Sequence, residues 1–107
     1  ECINELSGKI GLRIPYFGHA GDGNLHVYFC RDGLEEALWE KRLQEGFDVL
    51  YMKAVELGGM VSGEHGIGFA KRDYLAGRLG SNQMELMRRI KKAFDPNGIL
   101  NPQTVCT

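Results

Sequence analysis

The chain has 107 residues, a length typical of one domain or part of one. Hydrophobic residues make up 43% and charged residues 25%, which excludes disorder as the main state. Thirteen basic and fourteen acidic residues give a net charge of −1, which argues against nucleic acid or an anionic membrane as the main partner. No apolar run approaches the ~20 residues of a membrane-spanning helix, and no signal peptide is visible.

The cysteines indicate the redox state and location of the protein, and the first residue indicates whether the chain is part of a longer one. Cys2, Cys30 and Cys106 are odd in number and far apart. They predict reduced thiols and a cytoplasmic location rather than a disulfide scaffold or an all-cysteine zinc site. The chain does not begin with Met, so we expect it to be part of a longer protein.

The first third of the chain is predicted to form a helix end and a β-hairpin. Residues 1–11 have apolar side chains at helical spacing and end at a glycine. Residues 12–17 and 25–30 are rich in β-formers, and Asp22-Gly23 between them is a hairpin signal. Pro15 limits the first strand to a sheet edge or a bulge.

The remaining two thirds are predicted to be mainly helical. A continuous apolar stripe indicates one long helix over 34–57, closed at Gly58-Gly59 by a left-handed cap. A short strand or extended segment is expected at 60–62 and a short helix over 69–79. Ser81 or Asn82 is expected to cap a further helix that runs to about Phe94, before an extended tail.

This order of elements predicts an α+β class, as a single domain over 1–107 with helices packed on one face of an antiparallel sheet. The core is expected to include the stripe of the long helix from Trp39 to Leu57. The inner face of the last helix is expected to carry Leu86 or Met87, Ile90 and Phe94.

Two of the three histidines flank the predicted hairpin turn. A turn centred between Asp22 and Gly23 places His19 directly opposite His26. Opposed residues project from the same sheet face with Cβ atoms ~5 Å apart, so the two imidazoles could bind one divalent metal. The alternative is a histidine pair that only packs.

The third histidine lies in the glycine-flanked sequence GEHG at 63–66. Two histidines and one carboxylate form a known ligand set for catalytic zinc with one open position, and also suit non-haem Fe(II). Glu64 would be the third ligand, and His65 would be a general base near neutral pH. The alternative is an exposed turn with a solvated carboxylate, because the sequence does not show whether the segments meet.

Three longer motifs stand out: GHAGDGNLHV at 18–27, GGMVSGEHGIG at 58–68 and AFDPNGILNP at 93–102. In this order they resemble the C-terminal part of FAD-linked 2-hydroxy acid dehydrogenases. That family includes D-lactate and D-2-hydroxyglutarate dehydrogenases and the flavin subunit of glycolate oxidase, among the vanillyl-alcohol oxidase-like flavoproteins. The resemblance implies a cap domain built on part of a ferredoxin-like antiparallel sheet, with an N-terminal FAD-binding domain outside this sequence.

The resemblance also implies roles for individual residues. His19, His26 and Glu64 correspond to ligands of a divalent metal, commonly zinc, and His65 to the residue that takes the hydroxyl proton of the substrate. Asn101 corresponds to a position near the flavin. The implied cofactors are FAD and a divalent metal, and the implied partners are a small 2-hydroxy acid and an unidentified electron acceptor.

The sequence therefore predicts the substrate-side, metal-binding part of an enzyme that oxidises a 2-hydroxy acid to a 2-oxo acid, inactive without its flavin domain. Some relatives have an asparagine where this chain has Tyr28, so the particular acid stays open. Apolar surface left uncovered on the cap would favour self-association. Two alternatives stay open: a zinc-dependent hydrolase, weakened by the absence of HExxH, and a non-enzymatic interaction module with a structural histidine hairpin.

Overall fold

The structure is a computed structural model that describes residues 1–106. The described elements are α1 (Cys2–Ile10), β1 (Tyr16–His19), β2 (Asn24–Val27), α2 (Glu36–Glu56), α3 (Arg72–Leu79) and α4 (Ser81–Phe94). Helices with one two-stranded antiparallel sheet confirm the predicted α+β class. The ferredoxin-like sheet stays a prediction, because the described residues form a sheet of only these two strands. None of the described helices combines the length and the apolar character that crossing a lipid bilayer requires.

The chain divides into two compact units, the first from Glu1 to Gly59 and the second beginning at Met60. The first unit contains α1, the hairpin and α2, and the second contains α3 and α4. The histidine hairpin therefore belongs to the first unit, and the GEHG loop and the tail belong to the second. The predicted single domain stays a prediction.

The first unit has its core between its helices and one face of the hairpin. Five buried residues form that core: Ile3, Leu6, Ile10, Leu12 and Ile14. Val27 and Phe29 come from alternate positions of the second hairpin strand and its continuation, and both pack against this cluster. The helices thus cover one hairpin face, as predicted, and His26 and Tyr28, which alternate with Val27 and Phe29, project to the opposite face.

Helix α2 ends in the predicted left-handed cap. Gly58 has φ +80°, and its N–H donates to the carbonyl of Val55 at 2.9 Å. The N–H of Gly59 donates to the carbonyl of Ala54 at 2.8 Å, which completes a Schellman motif. Leu57, predicted to be in the core, is 76% exposed because the helix has ended at Glu56.

In the second unit, α4 ends at Phe94 as predicted, but its N-cap is Gly80, so the predicted capping by Ser81 or Asn82 is wrong. Its buried stripe also differs from the predicted one. Met84 is buried, and Met87 and Lys91 are half-buried at steps of three and four residues. The predicted inner face is wrong at two positions, since Ile90 is 52% and Phe94 is 82% exposed. Lys91 lies on the buried stripe because its ammonium group pairs with the buried carboxylate of the residue that follows the helix.

That carboxylate, Asp95, also shapes the tail. It accepts hydrogen bonds from the N–H groups of Ile99 at 3.0 Å and Leu100 at 2.9 Å, and Lys91 binds both the carboxylate and the carbonyl of Leu100. The tail therefore folds back in turns, and the predicted extended conformation is wrong. Of the short strand or extended segment predicted at 60–62, the strand does not form, because the described part of the second unit has no strand with which it could pair.

Candidate metal centre

The hairpin pairs its residues in a register that differs from the predicted one. Phe17 lies opposite His26, and His19 lies opposite Asn24. The predicted direct opposition of the two histidines is therefore wrong. The cause is a four-residue loop at 20–23, in which the N–H of Asp22 donates to the carbonyl of His19 at 3.1 Å, instead of a turn centred one residue later.

The two histidines nevertheless share one face of the hairpin. The register differs by two positions, and an even shift keeps each side chain on its predicted face. His19 and His26 are diagonal neighbours whose ring centroids lie 5.7 Å apart, with an angle of 76° between the ring planes. One ring nitrogen of His19 lies within 4.8 Å of one ring nitrogen of His26. The pair is on the hairpin face opposite to the core.

Two aromatic rings extend the histidine pair along the same face. The ring centroid of Phe17 lies 5.2 Å from that of His26 and 5.6 Å from that of Tyr28. The contact between Phe17 and His26 is not predicted from the sequence, because the predicted register has His19 opposite His26. Aromatic residues at positions 17, 26 and 28 of two paired strands are the signal that could have indicated it.

The geometry of the histidine pair fits a divalent metal. Zinc–nitrogen bonds measure about 2.0–2.1 Å, so two ligating nitrogens approach one ion from about 3.4 Å of each other. The nitrogens lie within 4.8 Å, so this separation would have to shorten by at most about 1.4 Å. His19 is exposed and His26 half-buried, which leaves the imidazoles room to rotate. Imidazole is a preferred ligand of zinc, copper, iron and nickel, so the pair suits two ligand positions of such an ion.

The loop that carries Glu64 and His65 is closed by a hydrogen bond from a side chain to the backbone. The hydroxyl of Ser62 donates to the carbonyl of Gly66 at 2.9 Å, and Gly66 has φ +78°, which suits glycine. The Glu64 and His65 side chains are 51% and 69% exposed, and Oε1 of Glu64 lies 3.7 Å from Nε2 of His65. Both side chains are thus presented to solvent from a short, closed turn.

Asn101 lies in the folded-back tail of the second unit. It is exposed, has φ +44°, and its carbonyl accepts a hydrogen bond from the hydroxyl of Thr104 at 2.8 Å. Further along the tail, the N–H of Val105 donates to the carbonyl of Gly68 at 2.8 Å. The tail is therefore hydrogen-bonded to the end of the glycine-rich segment that contains Glu64 and His65.

The motifs, the α+β fold and the histidine hairpin together define a class of protein. Residues 1–105 match the family model described as FAD linked oxidases, C-terminal domain. The chain belongs to this family, which confirms the resemblance expected from the three motifs.

Individual relatives support this membership. The chain is 52% identical over 101 residues to a D-lactate dehydrogenase of Anaerostipes hadrus, across 94% of this chain and 21% of that protein. It is 41% identical over 102 residues to the glycolate oxidase subunit GlcD of Bacillus subtilis, across 95% of this chain and 22% of that protein. It is 47% identical over 103 residues to a D-lactate dehydrogenase of Archaeoglobus fulgidus, across 95% and 22%. The chain spans about a fifth of the length of these curated relatives.

Proposed function

We propose that the chain is the metal-binding, substrate-side part of an FAD-dependent oxidoreductase that converts a 2-hydroxy acid to a 2-oxo acid. The match of residues 1–105 to the C-terminal domain of FAD-linked oxidases carries this proposal. The relatives include D-lactate dehydrogenases and a glycolate oxidase subunit, and lactate and glycolate are both 2-hydroxy acids. The shared chemistry of those two names supports the substrate class.

In this proposal His19 and His26 hold a divalent ion, zinc in the first instance, and Glu64 supplies the carboxylate of the set. The exposed histidine face and the exposed carboxylate support these roles, because ligands must be accessible to an ion from solvent. When bound, the ion would supply Lewis acidity toward the substrate hydroxyl, and FAD would supply the hydride acceptor. The flavin-binding part is expected in the portion of the relatives that this chain does not span.

His65 is proposed to accept the proton of the substrate hydroxyl at a ring nitrogen. Its side chain is 69% exposed, so the imidazole can pass that proton on to water after each oxidation. Asn101 is proposed as a flavin neighbour, and the hydrogen bond between Val105 and Gly68 supports a fixed course of the tail beside the loop. A cytoplasmic location and self-association stay predictions.

The experiment uses the FAD-loaded full-length protein under anaerobic conditions, with D-lactate, glycolate and 2-hydroxyglutarate offered separately. At least one acid is expected to bleach the flavin absorbance, and metal analysis is expected to find a divalent ion that His19→Ala removes. His65→Asn should slow flavin reduction about 10²–10⁴-fold while substrate still binds.

Three outcomes would contradict the proposal. They are no bleaching with any 2-hydroxy acid, unchanged reduction in both variants, or cleavage of esters by the metal-loaded protein without flavin, which would favour the hydrolase hypothesis. The 107-residue chain alone, mixed with a 2-hydroxy acid and a dye acceptor, is expected to show no turnover.

A further inference from the structure

We propose that Phe17 is a positioning residue that holds the imidazole of His26 in the orientation used for metal binding; this rests on the proposed function. Phe17 is directly opposite His26 in the hairpin ladder. Their ring centroids lie 5.2 Å apart, and the ring planes are inclined by 32°. Phe17 has no atom that could bind a metal. Its role in the site is to contact the imidazole of His26, whose nitrogens can.

The opposite side of Phe17 is supported by Tyr28. The two rings are stacked, with centroids 5.6 Å apart and planes inclined by 16°. Tyr28 is itself fixed by its backbone, since its N–H donates to the carbonyl of Pro15 at 3.0 Å. Tyr28, Phe17, His26 and His19 thus form a row of four rings on one hairpin face.

Core packing does not account for the position of Phe17. Phe17 is 60% exposed, and it lies on the hairpin face opposite to Val27 and Phe29, which pack on the core. An exposed phenylalanine loses little contact with water and gains little from burial. The described ring contacts of Phe17 are with His26 and Tyr28. The structural effect of its side chain is therefore on the row of four rings.

Restricting His26 before metal arrives favours binding. An unrestrained imidazole populates several rotamers, and the ligand must give up that freedom when it coordinates an ion. A ring contact that already selects one orientation lowers this cost. An aromatic contact of this kind changes an equilibrium constant by about threefold to tenfold. Mutating a residue that orients a metal ligand typically lowers metal affinity or activity by about 10–100-fold.

The test compares Phe17→Leu, which removes the ring but keeps apolar volume, with Phe17→Tyr, which keeps the ring. Tyr16→Leu is the matched control, because Tyr16 is the neighbouring position of β1, is 43% exposed and lies on the other face. Zinc affinity is measured by calorimetry on the full chain, and the metal-free His26 side chain is followed by NMR. Phe17→Leu should weaken zinc binding about threefold to tenfold and change the His26 ring signals. Phe17→Tyr and Tyr16→Leu should do neither.

The outcomes separate this inference from the proposed function. If His19→Ala abolishes zinc binding but Phe17→Leu binds zinc as the unmodified chain does, the metal site stands and the positioning role of Phe17 is wrong. Equal weakening by Tyr16→Leu would also overturn it, because the effect would then be a general loosening of the hairpin. If the unmodified chain binds no zinc, the metal site and the positioning role are both wrong.

Discussion

Gly46, in the middle of α2, packs directly against the ring of Phe29. A Cβ atom at Gly46 would stand 2.4 Å from Cε1 of Phe29 and 3.1 Å from Cδ1 of Ile10. The rings of Phe29 and Phe47 also meet edge to face, with centroids 5.1 Å apart. A glycine inside a helix costs about 1 kcal/mol relative to alanine, and this close approach of the hairpin to α2 explains why one is used here.

Gly46→Ala should therefore destabilise the chain, although alanine is the better helix former. The overpacked methyl costs typically about 1–3 kcal/mol, against a gain of about 1 kcal/mol in helix propensity. Gly8→Ala is the matched control, since Gly8 is inside α1 and a Cβ there would meet nothing within 4 Å. Denaturant unfolding should show a loss for Gly46→Ala and a gain for Gly8→Ala, and equal gains would show that Phe29 can move aside freely.

Gly18→Ala should disrupt the histidine face. A Cβ at Gly18 would stand 2.1 Å from the backbone oxygen of Asn24 and 3.0 Å from Cα of Leu25, so the strands must separate. We expect zinc binding to weaken about 10–100-fold, the typical effect of mutating residues that contact metal ligands. Gly21→Ala, in the loop with open space around it, should bind zinc normally. Calorimetry checks both, and normal binding by Gly18→Ala would contradict the register.

Acid should weaken the second unit through Asp95. The hydrogen bond from Lys91 holds the pKa of the Asp95 carboxyl below its ordinary value of 3.8; desolvation opposes this effect, and the N–H groups of Leu100 and Ile99 add to it. A lowered folded-state pKa gives stability that is present above about pH 4 and is lost as the pH falls through the folded-state value.

Asp95→Asn should lower the thermal midpoint by several degrees at pH 7, with the difference from the unmodified chain shrinking as the pH falls below about 4. Asp32→Asn is the control, because Asp32 pairs with Arg13 where both side chains are at least half exposed, and such pairs contribute little. Thermal unfolding monitored by circular dichroism across this pH range measures both variants. If the difference in thermal midpoint between Asp95→Asn and the unmodified chain does not change with pH, the charge of Asp95 does not stabilise the second unit.

The buried stripe of α4 should separate two classes of substitution. Met84 is 4% exposed, and Met84→Ala should cost about 2–5 kcal/mol. Phe94 is 82% exposed, and Phe94→Ser should change the free energy of unfolding by no more than about 0.5 kcal/mol. Denaturant unfolding distinguishes them, and a large cost at Phe94 would restore the inner face predicted from the sequence.

Much of the local structure could be predicted because its signals are local. Apolar spacing placed α2 and α4 within about two residues, and Gly58 marks the end of α2 through its own left-handed backbone. The motif order also indicated the family, which the match over residues 1–105 confirms. The candidate residues His19 and His26 were placed on one face because alternation along a strand has period two.

The sequence by itself determined the helices, the hairpin, the family and the donor chemistry of the candidate site, because each depends on residue types at short spacings. The tertiary structure alone decided that the hairpin loop lies at 20–23, centred one residue earlier than predicted, which moves Phe17 opposite His26. It also decided that Lys91 turns inward to Asp95 while Phe94 turns outward. Spacing along the chain shows which residues share a face. Which face is buried, and which ring a histidine meets, depends on partners that come together only when the chain folds.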